Sequence, residues 1–160
     1  MSVASQQARK RTKWLEEKAQ ELGFVSVGIS KAEELTDEAP RLEAWLKGNM
    51  HGEMKYMEGH FDKRLDPRKL VPGTKSVVSL LFNYHNPDTT SDDSLRISQY
   101  AYGTDYHFVL KRKLKELLKM MKQEWGDVDG RVFVDSAPVL ERVWAAKSGL
   151  GWVGKNSLLI

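Results

Sequence analysis

The 160 residues contain no cysteine. That excludes disulfides, a Cys-ligated zinc and a thiolate-held iron–sulfur cluster within them. No apolar run approaches the roughly 20 residues of a membrane-spanning helix. The opening MSVASQQARKRTKW is basic but has no apolar h-region. No secretory signal is therefore read there, and the cytoplasm is the default compartment. Internal repeats and low-complexity segments are absent. So is H-E-x-x-H. His51-Gly52-Glu53 resembles half of the zinc deaminase signature, but its P-C-x-x-C half cannot exist without cysteine. No metal site is expected. His107 reads as an ordinary surface or core residue.

What is present is the balance of a globular chain, 41% hydrophobic and 29% charged. The length suits one domain, residues 1–160, with its own core. The net charge of +3 permits an anionic partner without arguing for one. Basic residues gather at Arg9, Lys10, Arg11 and Lys13, and again at Lys111, Arg112, Lys113, Lys115, Lys119 and Lys122. A solvated helix face explains them more simply than an RNA-binding surface does. Oligomeric state is not encoded legibly, and a monomer is the default.

Hydrophobic spacing predicts a helix over 5–22, with Trp14, Leu15, Ala19 and Leu22 on one side and Gly23 as its stop. FVSVGIS (24–30) alternates and is β-branched, which predicts a strand. Residues 38–47 read as a short helix ended by Gly48 and Asn49. From Met50 to Gly73 the chain reads as irregular, with one helical turn near Met54–Glu58. SVVSLLFNY (76–84) reads as a buried central strand, and 85–94 as a polar loop. Residues 105–125 form the longest predicted helix, with Asp105 or Thr104 as cap and Gly126 as stop. RVFVD (131–135) reads as a third strand, Pro138–Ser148 as a helix, and SLLI (157–160) as the start of another strand. The alternation favours an α/β fold, a layered mixed sheet flanked by helices. A chain ending inside an apolar strand is expected to be the N-terminal part of something longer.

The most heavily punctuated stretch is RVFVDSAPVLERVWAAKSGLGWVGKN, residues 131–156. Gly149-x-Gly151-x-x-Gly154-Lys155 matches phosphate-loop patterns. Those patterns need a strand before the loop and a helix after it. Here the predicted order is helix, loop, strand, and Asn156 stands where a Ser or Thr would hold magnesium. The phosphate-loop reading fails. Two readings remain for the glycines: a plain connection with Trp152 in the core, or a backbone held close to a bulky ligand. Asp135 also has two. It or Ser136 could cap the next helix. Alternatively it could act as a general acid, which would require burial against groups such as Phe133, Val134 or Trp152.

Further motifs occur in fixed order: VGIS (27–30), WLKGNMHGEMKYM (45–57), HFDKRLDPR (60–68), LVPGTKSVV (70–78), YAYGTDYH (100–107), DSAPVLER (135–142) and SGLGWVGKN (148–156). This ordered set resembles the N-terminal region of the epoxyqueuosine reductases, from about Phe24 to Ile160. The resemblance implies a cobalamin-binding α/β domain and an oxidoreductase of queuosine biosynthesis in tRNA. In that family an epoxide in the tRNA wobble nucleoside is reduced to an alkene, and two [4Fe–4S] clusters deliver electrons. It implies Asp135 as proton donor. It also places Arg64, Tyr102, Lys155, Asn156 and Ser157 as contacts for cobalamin or substrate, although Arg64 could instead pair with Asp62 or Asp66, and Tyr102 could be core. The cluster-binding cysteines of the family lie downstream of G-K-N, so the clusters are expected outside these residues. The fragment alone is therefore expected to be inactive. The implied partner is tRNA bearing epoxyqueuosine. Two alternatives remain: a non-catalytic RNA- or ligand-binding α/β module, and a flavin or nucleotide oxidoreductase on a similar scaffold.

Overall fold

A computed structural model describes residues 3–85 and 98–160. Beyond His85, the predicted polar loop lies outside the described residues. The chain divides into two compact units, one of residues 1–27 and 80–134, the other of residues 28–79 and 135–160.

In the first unit, α1 (Val3–Glu21) buries Leu15 and Ala19, the stripe that the sequence predicts. Gly23, at φ 89°, ends it in a conformation that favours glycine. The second helix of this unit, α5 (Tyr106–Trp125), buries Leu117. Its cap is Asp105, whose carboxylate accepts the His107 N–H at 2.8 Å. That hydrogen bond, together with the His107 side chain, holds the Asp105 carboxyl below its usual range. Trp14 of α1 and Trp125 of α5 meet at 5.0 Å between ring centroids. Lys113 departs from the expected solvated face: its ammonium reaches the Leu22 carbonyl at 2.7 Å, beyond the end of α1. There a cation meets the negative end of a helix.

Strands β1 (Phe24–Lys31) and β2 (Ser76–Phe82) pair antiparallel. The rings of Phe24 and Phe82 meet edge-on, and the Ala32 N–H donates to the Lys75 carbonyl at 3.0 Å. Among the described residues this is the only named sheet, so the larger layered sheet expected from the sequence is not what is seen. RVFVD joins no ladder, and SLLI contributes only a single bridge. A short apolar run identifies a strand only if a partner is available, and the sequence cannot show one. β2 is half-buried along most of its length rather than central, as an edge strand of a two-stranded ribbon would be.

The second unit carries α2 (Ala39–Lys47), α3 (Phe61–Leu65), α4 (Pro67–Leu70) and α6 (Glu141–Lys147). Its core is Leu35, Leu65 and Trp144, packed against Phe61, Val77, Val139, Leu140 and Val143. The stretch 50–73 is more ordered than its sequence suggests. It holds a 3-10 turn at Lys55–Met57 followed by α3 and α4. Among the described residues no helix is long and apolar enough to cross a membrane.

Candidate active site

The acid loop begins where the third strand was expected to end. The chain bends through residues 134–138. Asp135 takes a positive φ of 49°, a left-handed conformation that residues with a β-carbon seldom adopt. Its N–H donates to Glu141 Oε1 at 2.9 Å. Pro138 disfavours helix at Ala137, and the Val139 N–H closes a tight turn on the Ala137 carbonyl at 2.7 Å. Helix α6 therefore starts at Glu141, three residues later than predicted. Leu140 occupies its N-cap position without a side-chain bond, so neither Asp135 nor Ser136 caps it. Asp135 is exposed, and so is Trp152, at 64% of its surface. Among the described residues, the apolar enclosure that a general-acid role would require does not surround it.

Glycines shape the other side of α6. Gly149, at φ 82°, lies just past its end. Residues 151–160 then double back as a small hairpin. Trp152 and Ile160 exchange both backbone bonds, at 3.0 and 2.8 Å, and the Gly154 N–H reaches the Leu158 carbonyl at 2.8 Å. A β-carbon on Gly151 would strike the Ile160 carbonyl oxygen. One on Gly154 would strike the Ile160 side chain and lie 2.8 Å from Asn156 Oδ1. Closure of the hairpin on itself thus accounts for glycine at both positions without a ligand. Trp152, half of the plain reading, is not core. The buried tryptophan of this stretch is Trp144, 1% exposed.

Lys155, Asn156 and Ser157 stand exposed at the hairpin tip. Asn156 Oδ1 accepts the Leu158 N–H at 3.2 Å. The Arg142 guanidinium donates to the Ser157 carbonyl. The first turn of α6 therefore holds the acid loop through Glu141 and the hairpin tip through Arg142. Glu141 was not singled out from the sequence. The usable signal was an acid at a helix start within DSAPVLER.

Arg64 is buried, and its guanidinium donates to the carbonyls of Tyr56 at 2.8 Å and Gly59 at 3.4 Å. Burial lowers its pKa. Neither carboxylate weighed as its partner takes that role: Asp66 grips Arg68, and Asp62 lies 3.9 Å from Lys69. Nearby, buried His51 sets Nε2 2.8 Å from Glu58 Oε1, and its ring lies against Trp45. Both contacts brace the turn around Tyr56. At the far end of α6, Lys147 pairs with Glu33 at 2.8 Å and holds that carboxyl below its usual range. Tyr102 belongs to the other unit, in the stretch leading to α5, and is half exposed rather than core.

A family model described as Epoxyqueuosine reductase QueG, DUF1730 matches residues 64–136, a span that contains Arg64, Tyr102 and Asp135. Two solved structures share the fold. One is an epoxyqueuosine reductase with a tRNA-Tyr epoxyqueuosine-modified tRNA stem loop, at TM-score 0.81 and 24% identity over 94% of this chain and 41% of that one. The other is the Bacillus subtilis enzyme with its Asp catalytic loop swung out of the active site, at TM-score 0.79, 24% identity and the same coverage. These likenesses define a mixed α/β fold of the reductase type. Sequence identity goes further: an epoxyqueuosine reductase of Cyclobacterium marinum is 62% identical over 154 residues, 94% of this chain and 49% of the relative. The chain is thus similar to epoxyqueuosine reductases over nearly its whole length, and it spans about half the length of the curated relatives it matches.

Proposed function

We propose that this chain is the cofactor- and substrate-binding part of a cytoplasmic enzyme that reduces epoxyqueuosine in tRNA to queuosine. The observation that carries the reading is the 62% identity to a reductase of that name across nearly the whole chain. The B. subtilis enzyme has an Asp catalytic loop, which supports giving the acid role to Asp135. The structure solved with a modified tRNA stem loop supports tRNA as partner.

Converting an epoxide to an alkene and water takes two electrons and two protons. Asp135 would give one proton to the oxygen as the oxygen's bonds to carbon break, a general-acid role that covering by bound cofactor and substrate would favour, and solvent supplies the second proton. An exposed acid on a bent loop suits a substrate as large as a tRNA nucleotide, which must be brought to it. The Lys155 ammonium, Asn156 NH2, Ser157 hydroxyl and Tyr102 phenol are exposed donors. They suit cobalamin, a cofactor rich in amide groups and bearing a phosphate, and are the residues we assign to hold it or the substrate. Arg64 joins them as the cation supporting the turn at 56–59. Cobalamin, when bound, supplies the reducing electrons. With no cysteine in these residues, the two [4Fe–4S] clusters belong to the remainder of the enzyme.

The test is to express the chain, extended to the length of its relatives, in cells lacking the reductase and to analyse their tRNA nucleosides by mass spectrometry. Wild type should remove one oxygen from epoxyqueuosine, and Asp135→Asn should not. Conversion by both would end the role of Asp135. Conversion by neither, with both proteins soluble and loaded with cofactors, would end the reading of the substrate.

A further inference from the structure

We propose that Glu141 is a positioning residue that sets the aim of the acid loop through the Asp135 backbone. The inference rests on the reading of Asp135 as proton donor. Three observations carry it. The left-handed φ of Asp135 is sparsely populated, although Asp adopts it more readily than most residues, and surrounding contacts help to hold it. The Asp135 N–H is bonded to Glu141 Oε1 at 2.9 Å, so a side chain six residues away is one of the contacts that hold it. The base of that side chain is fixed, because the residues around it in the chain, Leu140, Val143 and Trp144, pack into the core of the unit.

A backbone N–H fixed in this way also fixes the direction in which the Asp135 side chain leaves the chain. Remove the acceptor and the exposed N–H is satisfied by water instead. Asp135 then relaxes to the β or right-handed region open to any residue, and its carboxyl turns away from the line that delivers the proton. Such misplacement lowers the rate of the chemical step far more than it weakens substrate binding. Arg142 adds to the arrangement, since its bond to the Ser157 carbonyl steadies the same helical turn.

The experiment uses the full-length enzyme and compares Glu141→Ala, which removes the acceptor, with Glu141→Gln, which keeps a side-chain oxygen. Circular dichroism and thermal melting first establish that both variants are folded. Hydrogen exchange is then followed in peptides covering residues 134–140, together with kcat and KM on tRNA bearing epoxyqueuosine. Glu141→Ala should speed exchange of that segment and cut kcat about 10- to 100-fold with KM within about twofold. Glu141→Gln should stay within about fivefold of wild type in kcat and exchange slowly. Unchanged exchange and kcat in Glu141→Ala would overturn the proposal. Faster exchange with unchanged kcat would also overturn it, because the loop would then be held without consequence for the reaction. A folded Glu141→Gln that behaves like Glu141→Ala would overturn the role of the hydrogen-bond acceptor. Wild-type turnover and an Asp135→Asn control run alongside: full activity in that control would locate the failure in the reading of Asp135 rather than in Glu141.

Discussion

Asp66 grips Arg68 with both carboxylate oxygens, Oδ1 on Nε and Oδ2 on Nη2, each at 2.8 Å, while Oδ1 also accepts the Arg68 backbone N–H at 3.0 Å. One buried carboxylate thus caps α4 and pins a guanidinium within H-F-D-K-R-L-D-P-R. The Arg68 side chain, above all, holds the Asp66 carboxyl below its usual range.

A depressed carboxylate stabilises the fold at pH above its unfolded value, near 3.9, and that contribution is lost as pH falls through the lower folded value. Asp66→Asn should therefore unfold about 1–2 kcal/mol more easily at neutral pH, a modest figure because Arg68 is half exposed and can turn to water. The gap between wild type and variant should narrow below about pH 4. Urea unfolding at pH 7, 5 and 3 reads this directly. Asp105 and Asp129, also depressed, are common to both proteins and cancel in the comparison. A gap that stays constant to pH 3 would show that the Asp66 charge is not what stabilises the native state.

Gly28 lies in V-G-I-S because no side chain fits there. A β-carbon would come within 2.7 Å of Ser148 Cβ and 2.8 Å of Leu150 Cγ. Gly28→Ala should destabilise by about 1–3 kcal/mol through overpacking. Adding Ser148→Gly should recover part of the loss, which a double-mutant cycle would detect as coupling. Strict additivity would mean that the clash is relieved elsewhere.

Local chemistry was the part of the fold legible in the sequence. The long stripes of α1 and α5, the stops at Gly23 and Gly126 and the cap at Asp105 each depend on neighbours a few residues away. RVFVD and SLLI look like strands by the same local criteria but join no sheet among the described residues, because pairing is decided by distant partners. The late start of α6 follows from Pro138, a local signal that marks a helix beginning by its residue type alone but delays it here by disfavouring helix at Ala137. In the candidate site, the D-S-A-P motif points to Asp135. Its left-handed backbone and its bond to Glu141 are not legible in the sequence, since neither has a spacing signature. Lys113 shows the same limit: it belongs to a run of lysines that looks uniformly solvated, yet its ammonium is anchored to the Leu22 carbonyl.

Two tryptophans eight residues apart should respond oppositely to removal. Trp144 is fully buried against Leu35 and Leu65, so Trp144→Ala should cost about 3–5 kcal/mol. Trp152 is exposed on the hairpin, and Trp152→Ala should fall within about 0.5 kcal/mol of wild type. Chemical denaturation of the two variants decides it. A loss of more than about 2 kcal/mol at Trp152 would mean that this ring is covered in solution.

Lys111, Lys115 and Lys119 are exposed at every fourth position of α5, so they recur along one side of the longest helix. Spacing of this kind can track a phosphate backbone, but a solvated face has the same sequence. Salt dependence separates the two. Each phosphate contact releases condensed counterions, so the slope of log affinity against log salt records their number. If these lysines contact tRNA, reversing all three to Glu in the full-length enzyme should weaken binding and reduce the magnitude of that slope by about 2–3. Fluorescence anisotropy with a labelled anticodon stem loop between 50 and 200 mM salt provides the measurement. An unchanged slope and affinity would leave α5 as a solvated face and place the tRNA contact on other residues.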